Sequence, residues 1–492
     1  MNTTFIRFSL LAIILLSAAE CNISAQNETD IKLDCYSVVV GRNASADGSV
    51  LFAHNEDTGI KLVNKYKVPR RKHPAGAKIT FENGGKTPQV AETFGYLWIN
   101  MPGISVCDTY LNEHGVAIGS DGCPSKESKP ELTDGGIVFW LRRIVAERAL
   151  CAKDGVKIAG KLIDEFGYAS SGRTYIIADP QEAWMLAVVH GKHWVAQRVP
   201  DDNIAVIPNY YTIGEIDLSD TINFMGSPDI IKYATEQGWY DEEKDGNFHF
   251  ARAYTKPGSL KHPSNIRRMW RGLSLVSGNE FDLDDEFPFT IKPKAKVSVQ
   301  DLMQVLRDHH EGTDLDKSKK YTLGSPYDMN GPMICARNTQ YGVISQLRSW
   351  MPDEIGSLLW LAAYRPDVQA FSPWYSGVTE IPEVYYYYAD YQMAIKQQFS
   401  PPEETFDRSN KHAFWTFVSL VNKIDENYSE SAQQVKNQWN KREEKMLSNQ
   451  GNFETKVLRV YKQNPDNAKK LLTKYSSKNA MRIYKDAAKW SK

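Results

Sequence analysis

Residues 33–57, "LDCYSVVVGRNASADGSVLFAHNED", place a single cysteine directly before an apolar run. The runs "YSVVVG" and "SVLFAHNED" predict two strands, and the Asp47-Gly48 pair between them predicts a turn. Cys35 has two interpretations at this point. It is a small buried hydrophobic residue, which is the commoner fate of a free cysteine, or it is the first residue of the mature chain.

The extreme N-terminus predicts export. Arg7 precedes "FSLLAIILLSAA", residues 8–19, and this apolar run is shorter than the roughly 20 residues that span a bilayer. A basic residue, a short apolar run and small residues afterwards are typical of a secretory signal peptide, which we assign to residues 1–25. A lipoprotein signal would use Cys21, but Glu20 stands where such signals require a small residue. We therefore expect an exported protein, periplasmic or extracellular, without a membrane span.

Composition and charge are those of an ordinary globular protein. Of the 492 residues, 42% are hydrophobic and 24% are charged, and the formal net charge is −1. This balance argues against a general electrostatic attraction to nucleic acid or anionic lipid, although it leaves room for a local charged site.

The other cysteines and the histidines do not predict a metal or redox site. No pair of cysteines has the C-x-x-C spacing. Cys107 and Cys123 flank a predicted hairpin, and they either form a disulfide or stay as buried thiols. His309-His310-Glu311 lies at a predicted helix end without a third ligand at a suitable spacing, so we expect it at the surface. We predict no metal and no cofactor.

The predicted strands fall in two batches with a pair of helices between them. The first batch ends near Gly122, and the helices cover residues 135–152 and the stretch up to Gly167. Strands then resume, residues 212–297 are predicted to be irregular surface loops, and the chain is helical from about Tyr385. Two batches of strands predict an α+β fold of two sheets with helices on their outer faces.

A short polar segment separates the signal peptide from Cys35. Residues 26–34, "QNETDIKLD", have the character of a removable pro-segment. If it is cut between Asp34 and Cys35, one residue supplies both nucleophile and base. The thiol attacks, and the α-amino group, whose pKa is ordinarily about 7.7–8.0, accepts the proton.

Several stretches carry a family resemblance, and they cover nearly everything after the leader. They are Cys35-x-x-x-x-Val40-Gly41, Asp47-Gly48-Ser49, Asn55-Glu56-Asp57, "LNEHGVAIG" (111–119), "AVIPNYYTIGEID" (205–217), "RRMWRGL" (267–273), "SQLRSWMPDEIGSLLW" (345–360) and "AFWTFVSLVN" (413–422). On these residues the chain resembles the cysteine dipeptidases of the dipeptidase A type. These belong to the N-terminal nucleophile hydrolases, together with penicillin V acylase and bile-salt hydrolase.

The resemblance implies a fold and an activity. It implies a four-layer αββα sandwich that hydrolyses short peptides without a metal. The catalytic domain is then expected over residues 35–384, with a helical C-terminal region, residues 385–492, packed on it. The expected partner is a short peptide substrate and not a nucleic acid, and a homo-oligomer is compatible with this prediction.

The resemblance also implies roles for single residues. Cys35 maps to the nucleophile, and Asp57 to the aspartate that binds the free α-amino group. His54 stands where the related acylases have an arginine, so the identity of the partner cation is open. The structural alternatives are a turn or cap residue for Asp57 and a strand-end residue for His54.

Four further residues complete the predicted site. Asn209 in "IPNYY" matches an asparagine beside the nucleophile, or it simply ends a strand. Arg268 in "RRMWR" matches an active-site arginine, or it belongs to a solvated basic patch. Ser120 and Asp121 stand where dipeptidases of this type carry Asn-Glu. Ser120 is therefore a candidate oxyanion donor, and Asp121 a candidate ligand of a substrate ammonium group.

Two rival functions remain at this point. The first is a different acyl-amide hydrolase on the same scaffold, of the bile-salt or penicillin V acylase type. The second is a non-catalytic scaffold protein that keeps the fold for binding. The sequence favours an exported cysteine dipeptidase over both.

Overall fold

The structure is a computed structural model and describes residues 35–316, 325–328 and 333–492. The predicted signal peptide and pro-segment, residues 1–25 and 26–34, lie outside the described residues. The strands of the described residues are β1 (Tyr36–Val40), β2 (Val50–Asp57), β3 (Asn64–Val68), β4 (Arg71–Lys72), β5 (Lys78–Thr80), β6 (Lys86–Pro88), β7 (Glu92–Thr93), β8 (Tyr96–Asn100), β9 (Thr109–Asn112), β10 (Ala117–Gly122), β11 (Tyr168–Ala178), β12 (Ala183–Gly191), β13 (Trp194–Val199), β14 (Ile204–Ile207), β15 (Phe224–Gly226), β16 (Thr339–Leu347), β17 (Ser357–Ala363) and β18 (Ser372–Tyr375).

Helices follow each batch of strands. They are α1 (Phe139–Arg148), α2 (Ala152–Phe166), α3 (Ile230–Glu236), α4 (Glu242–Asp245), α5 (Phe250–Tyr254), α6 (Pro263–Ser277), α7 (Val299–Val305), α8 (Asp353–Gly356), α9 (Tyr391–Lys396), α10 (Ala413–Asp425), α11 (Tyr428–Gln463) and α12 (Pro465–Trp490). Short 3-10 turns lie at Pro326–Asp328, Pro366–Val368, Glu383–Tyr385 and Glu403–Phe406.

Two antiparallel sheets form the centre of the molecule. The six-stranded sheet has the order β14-β1-β2-β16-β17-β18, and the eight-stranded sheet has the order β15-β13-β12-β11-β10-β9-β8-β3. Because side chains alternate along a strand, the eight-stranded sheet buries residues on both faces. Leu111, Ile176 and Met185 pack in one core with the six-stranded sheet, whereas Ile177 and Trp184 pack with α1 and α2.

Helices cover the outer faces of both sheets. α1 and α2 lie on the eight-stranded sheet, while α6 contacts β14, α7 contacts β16 and α12 contacts β18. The layers therefore follow the order helix, sheet, sheet, helix, and the predicted αββα sandwich with its C-terminal helices is confirmed. Among the helices of the described residues, none has the length and apolar character needed to cross a membrane.

The prediction of irregular loops over residues 212–297 is wrong for α6. This helix begins with Pro263, a residue favoured in the first turn, and ends before Gly278. Gly278 adopts a left-handed conformation with φ of 67°, which is typical of a helix C-cap. Buried Met269 and Leu273 then fix the helix on the sheet.

The predicted surface position of His309-His310-Glu311 is also wrong for the two histidines. His309 is 1% exposed and His310 is 4% exposed. The segment is covered because His309 Nε2 lies 2.7 Å from the Tyr327 hydroxyl and its Nδ1 lies 3.1 Å from Glu311 Oε1. Among the cysteines, Cys107 and Cys123 are free buried thiols, so the thiol alternative holds for them.

Candidate active site

Cys35 lies directly before β1 and is fully buried. In the antiparallel β1–β2 pair Tyr36 faces Asn55, so the residue before Tyr36 comes opposite Glu56. The Cys35 thiol accordingly donates a hydrogen bond to Glu56 Oε1 at 3.1 Å. The strand register therefore places a carboxylate on the thiol.

A continuous chain of hydrogen bonds starts at this thiol. The other oxygen of Glu56 lies 3.2 Å from His54 Nε2, and His54 Nδ1 lies 2.9 Å from Ser37 Oγ. Ser37 Oγ donates in turn to Asp121 Oδ2 at 2.6 Å. All five side chains are buried. Alternation along paired β1 and β2 puts Cys35, Ser37, His54 and Glu56 on one face of the six-stranded sheet. Asp121 reaches this face from β10 of the eight-stranded sheet.

The pKa of His54 follows from its two carboxylate neighbours. Burial alone would lower this pKa, but the hydrogen bonds to Asp121 and Glu56 outweigh burial and raise the pKa to about 9. A protonated ring donates from both nitrogens, which matches an acceptor at each end, Ser37 Oγ and Glu56 Oε2. His54 is therefore an imidazolium near neutral pH and supplies a cation between two carboxylates.

The pKa of the Cys35 thiol opposes spontaneous formation of a thiolate. Burial raises this pKa well above its ordinary value, and the negative charge of Glu56 adds to the rise. The thiol consequently stays protonated in this environment, and a thiolate forms only if a base takes the proton during attack.

A second cluster holds the main chain of Cys35. The buried Arg268 guanidinium on α6 donates to the Cys35 carbonyl at 3.2 Å and to Asn209 Oδ1 at 2.8 Å. Asn209 follows β14 and donates through Nδ2 to the Gly122 carbonyl at the end of β10 at 3.0 Å. Asn265, one turn before Arg268, accepts a further hydrogen bond from its guanidinium at 3.0 Å. α6 thus ties the ends of β1, β10 and β14 together.

The structure brings together most of the predicted site residues. Cys35, Asn209 and Arg268 share one hydrogen-bonded cluster, while His54 and Asp121 belong to the chain that leads from the thiol. Their catalytic roles stay predictions, since contacts alone do not assign them.

Two predicted residues lie differently from the others. Asp57, at the end of β2, is buried and accepts a hydrogen bond from Thr339 Oγ1 at 2.5 Å. Its charge still contributes to the raised pKa of the Cys35 thiol. The Ser120 hydroxyl accepts hydrogen bonds from Arg142 at 3.1 Å and from Arg173 at 3.3 Å. It therefore points towards α1, on the opposite face of β10 from Asp121.

Sequence reasoning missed Glu56, Ser37 and Asn265. In the sequence, Glu56 stands out only as part of the Asn55-Glu56-Asp57 motif. Alternation along paired strands is the signal that would have found Glu56 and Ser37. Residues two apart on a strand share a face, so Ser37 lies on the face of Cys35 and Glu56 on the face of His54. Asn265 precedes Arg268 by three residues, which places both on one side of a helix.

A cavity of about 710 Å³ is lined by chain neighbours of this cluster, although none of the hydrogen-bonded residues named above lines it. Its walls include Tyr210, the direct neighbour of Asn209, and Ile266, Arg267 and Met269, which flank Arg268 on α6. Within the described ranges, no three His, Cys, Asp or Glu side chains converge so that they could hold a metal ion.

Comparisons with known proteins agree with the resemblance seen in the sequence. The model of Peptidase family C69 matches residues 127–441. A probable dipeptidase of Salmonella dublin is 29% identical over 363 residues, which cover 70% of this chain and 81% of that protein. A probable dipeptidase B of Streptococcus pyogenes serotype M1 is 26% identical over 415 residues, covering 79% of this chain and 78% of that protein.

Two solved structures are also similar to the chain. Penicillin V acylase from Agrobacterium tumefaciens is 14% identical with a TM-score of 0.33, covering 67% of this chain and 82% of that one. A mutant of conjugated bile acid hydrolase from Clostridium perfringens is 12% identical with a TM-score of 0.29, covering 67% of this chain and 89% of that one.

Proposed function

Since the chain belongs to peptidase family C69 and is a cysteine-type peptide hydrolase, we propose that it is an exported dipeptidase that uses Cys35 as an N-terminal nucleophile. Export rests on the signal-like residues 1–25, and the N-terminal position of Cys35 rests on removal of residues 26–34. The dipeptide substrate rests on the names of the relatives, among them a dipeptidase of Bifidobacterium longum that is 25% identical over 387 residues.

The observation that carries the proposal is the environment of the Cys35 thiol. Cys35 lies directly before β1, and its thiol donates a hydrogen bond to the Glu56 carboxylate. Its main-chain carbonyl accepts a hydrogen bond from the buried Arg268. A cysteine that only filled space in the core would need neither contact.

The proposed hydrolysis proceeds in two steps. The α-amino group of mature Cys35 takes the thiol proton while Sγ attacks the carbonyl carbon of the substrate. The C–N bond then breaks, the leaving amine takes that proton, and an acyl thioester remains on Cys35. Water, deprotonated by the same amino group, hydrolyses the thioester and regenerates the thiol.

Maturation needs a different base. Before cleavage the Cys35 nitrogen is an amide and cannot accept the thiol proton. Glu56 accepts the hydrogen bond of this thiol, and we assign it the role of base in self-cleavage. Sγ bonds to the Asp34 carbonyl carbon, the C–N bond breaks, and the nitrogen takes the proton from Glu56 to become the α-amino group. Water then hydrolyses the thioester and releases the pro-segment with Asp34 as its C-terminal carboxylate.

Substrate assays separate the proposal from an acyl-amide hydrolase on the same scaffold. A dipeptidase cleaves substrates with a free α-amino group and leaves bile-salt or penicillin V conjugates intact. The reverse preference would assign the chain to the acylase type.

Replacement of the nucleophile tests the proposal as a whole. Cys35→Ala should fold with a wild-type melting curve, hydrolyse no dipeptide and retain residues 26–34 in an intact-mass measurement. The wild type should begin at Cys35. Substantial hydrolysis by Cys35→Ala, or a fully active wild type that still carries residues 26–34, would overturn the mechanism. An external protease would remove the segment from both proteins.

A further inference from the structure

Every exposed side chain from residue 470 to the C-terminus is basic. The other residues of this stretch are buried or half-buried. The exposed ones, which we call the basic ridge, are Lys470, Lys474, Lys478, Arg482, Lys485, Lys489 and Lys492. Successive members are three or four residues apart, so they lie within an arc of about 120° on α12 and its C-terminal end. The ridge is about 30 Å long at 1.5 Å per residue.

The ridge carries charge that the described residues do not neutralise. None of its seven side chains forms an ion pair within those residues, while the acidic neighbours are engaged elsewhere: Asp486 pairs with Arg442, and Glu354 pairs with Lys469. An exposed helix face ordinarily intersperses both signs. With a net charge of −1 over the whole chain, the ridge is a local concentration of positive charge and not part of a basic protein.

We propose that the basic ridge binds the headgroups of an anionic phospholipid surface. Six of its seven residues are lysines, whose compact ammonium groups on flexible stems suit many phosphates in variable positions. α12 lies against α10, α11 and β18, so the ridge faces outward, and a straight ridge contacts a plane along its whole length. Clusters of four to eight Lys or Arg on one helix face are of the size that binds anionic lipid.

The uncharged side chains of α12 distinguish this surface from two others. Its aromatic residues, Tyr475, Tyr484 and Trp490, are partly buried against the core. Tyr475 stacks on Phe453, and Trp490 contacts Trp439 of α11 with tilted rings. The ridge therefore lacks the exposed stacking platforms of single-stranded nucleic acid sites. It also lacks an exposed apolar residue, so binding stays at the level of the headgroups and does not insert the helix. This inference does not depend on the peptidase activity.

Flotation of the purified protein with lipid vesicles tests the proposal. The probes are vesicles of phosphatidylglycerol mixed with phosphatidylcholine and vesicles of phosphatidylcholine alone. We expect binding to the mixed vesicles only, at low ionic strength, and its loss at high ionic strength because salt screens exposed charges. Lys470, Lys474, Lys478 and Lys485 replaced together by Gln should weaken binding more than about tenfold.

A matched variant controls for the overall loss of charge. Lys78, Lys86, Lys157 and Lys161 are exposed and distant from the ridge in sequence, and their replacement by Gln removes the same four charges. This variant should bind the mixed vesicles like the wild type. Three results would overturn the lipid assignment. They are an equal loss of binding in the two variants, no binding of the wild type to the mixed vesicles, and tighter binding to duplex DNA or heparin than to the vesicles at the same salt. Unchanged melting temperatures exclude misfolding of the variants.

Discussion

At the scale of single residues, burial and then the charge of Glu56 keep the Cys35 thiol protonated. Because burial and the charge of Glu56 hold the pKa of this thiol well above its ordinary value, the thiol donates its proton to the carboxylate in a hydrogen bond instead of ionising. A proton acceptor in contact with a protonated thiol is what self-cleavage requires before an α-amino group exists. In the proposed mechanism, hydrolysis after cleavage uses that amino group as the base and does not require Glu56.

Glu56→Gln should therefore block maturation more than hydrolysis. The neutral amide cannot take the thiol proton, and loss of a general base slows a reaction by about 10²–10⁴-fold. Intact mass over time follows retention of residues 26–34. If a protease site replaces the residues before Cys35 and is cut, the variant should regain dipeptidase activity. Glu92→Gln, at an exposed carboxylate on β7, should mature normally. Wild-type maturation of Glu56→Gln would remove Glu56 from the mechanism.

The imidazolium of His54 makes stability depend on pH. Its pKa is about 9 in the folded protein and about 6.5 in the unfolded chain. The stabilisation is fully present below about pH 6.5, declines as pH rises and is lost above about pH 9. The free energy of unfolding should fall by about 3 kcal/mol over this window. Urea titrations in the Cys35→Ala background, which lacks the thiol, should show this slope, and adding His54→Gln should remove it. Equal slopes would contradict the assignment.

Site residues that stand in recognisable sequence motifs could be predicted. Contacts that depend on the register between two strands could not. Cys35, Asn209 and Arg268 stand within recognisable strings, and the structure joins them by hydrogen bonds. The partnership of Cys35 with Glu56 depends on which residues face each other across β1 and β2. A two-residue turn would have fixed that register. The connection here spans residues 41–49, so the Asp-Gly pair did not determine it.

At the scale of elements, α6 must approach β1 closely to deliver Arg268. Gly272 makes this approach possible, since a Cβ there would lie 1.5 Å from the hydroxyl oxygen of Tyr36. Tyr36 is fully buried and its hydroxyl has no hydrogen-bond partner among the described residues. The sequence around α6 contained Pro263 and Gly278 as start and stop signals. The Pro, Gly and acidic residues elsewhere in residues 212–297 favour loops, so the composition of this stretch conceals a regular helix.

Gly272→Ala should displace α6 and weaken the Arg268 contact with the Cys35 carbonyl. Overpacking of a core costs about 1–3 kcal/mol, and activity should fall together with stability. Adding Tyr36→Phe removes the clashing oxygen and should restore part of both losses. Tyr36→Phe alone should be nearly neutral. Denaturant unfolding and dipeptide hydrolysis of the three variants measure this. Failure of the double variant to recover anything would place the clash elsewhere.

At the scale of the whole molecule, buried ion pairs attach the C-terminal helices to the rest of the fold. Glu443 and Glu454 both lie on α11. The Arg307 guanidinium lies 2.7 Å from a Glu443 carboxylate oxygen, and the two terminal nitrogens of Arg348 lie 2.7 and 2.8 Å from the two Glu454 oxygens. The charged and helical character of the C-terminus was evident in the sequence, which supports its prediction as helix. Its attachment was not evident, because a glutamate that faces a core arginine has the same identity as one that faces solvent.

The Arg348–Glu454 pair tests how this attachment works. Both side chains are less than a tenth exposed, and Tyr375 and Gln450 also donate to the carboxylate. Arg348→Met leaves that charge buried without its cation and should lower the free energy of unfolding by about 3–5 kcal/mol.

Replacing both partners separates the cost of an uncompensated charge from the worth of the pair. Arg348→Met with Glu454→Leu leaves neither charge of this pair, so the double variant should lose less stability than Arg348→Met alone.

The exposed pair Lys423–Glu426, with side chains 51% and 66% exposed, is the matched control, and Lys423→Ala should cost less than about 1 kcal/mol. Urea unfolding of these variants, of Glu454→Leu alone and of the wild type measures the losses. If the double variant lost as much as the sum of its single changes, the pair would contribute through packing and not through charge. If it recovered stability as expected, Arg348 would serve chiefly to neutralise the carboxylate of Glu454, which α11 brings into the core.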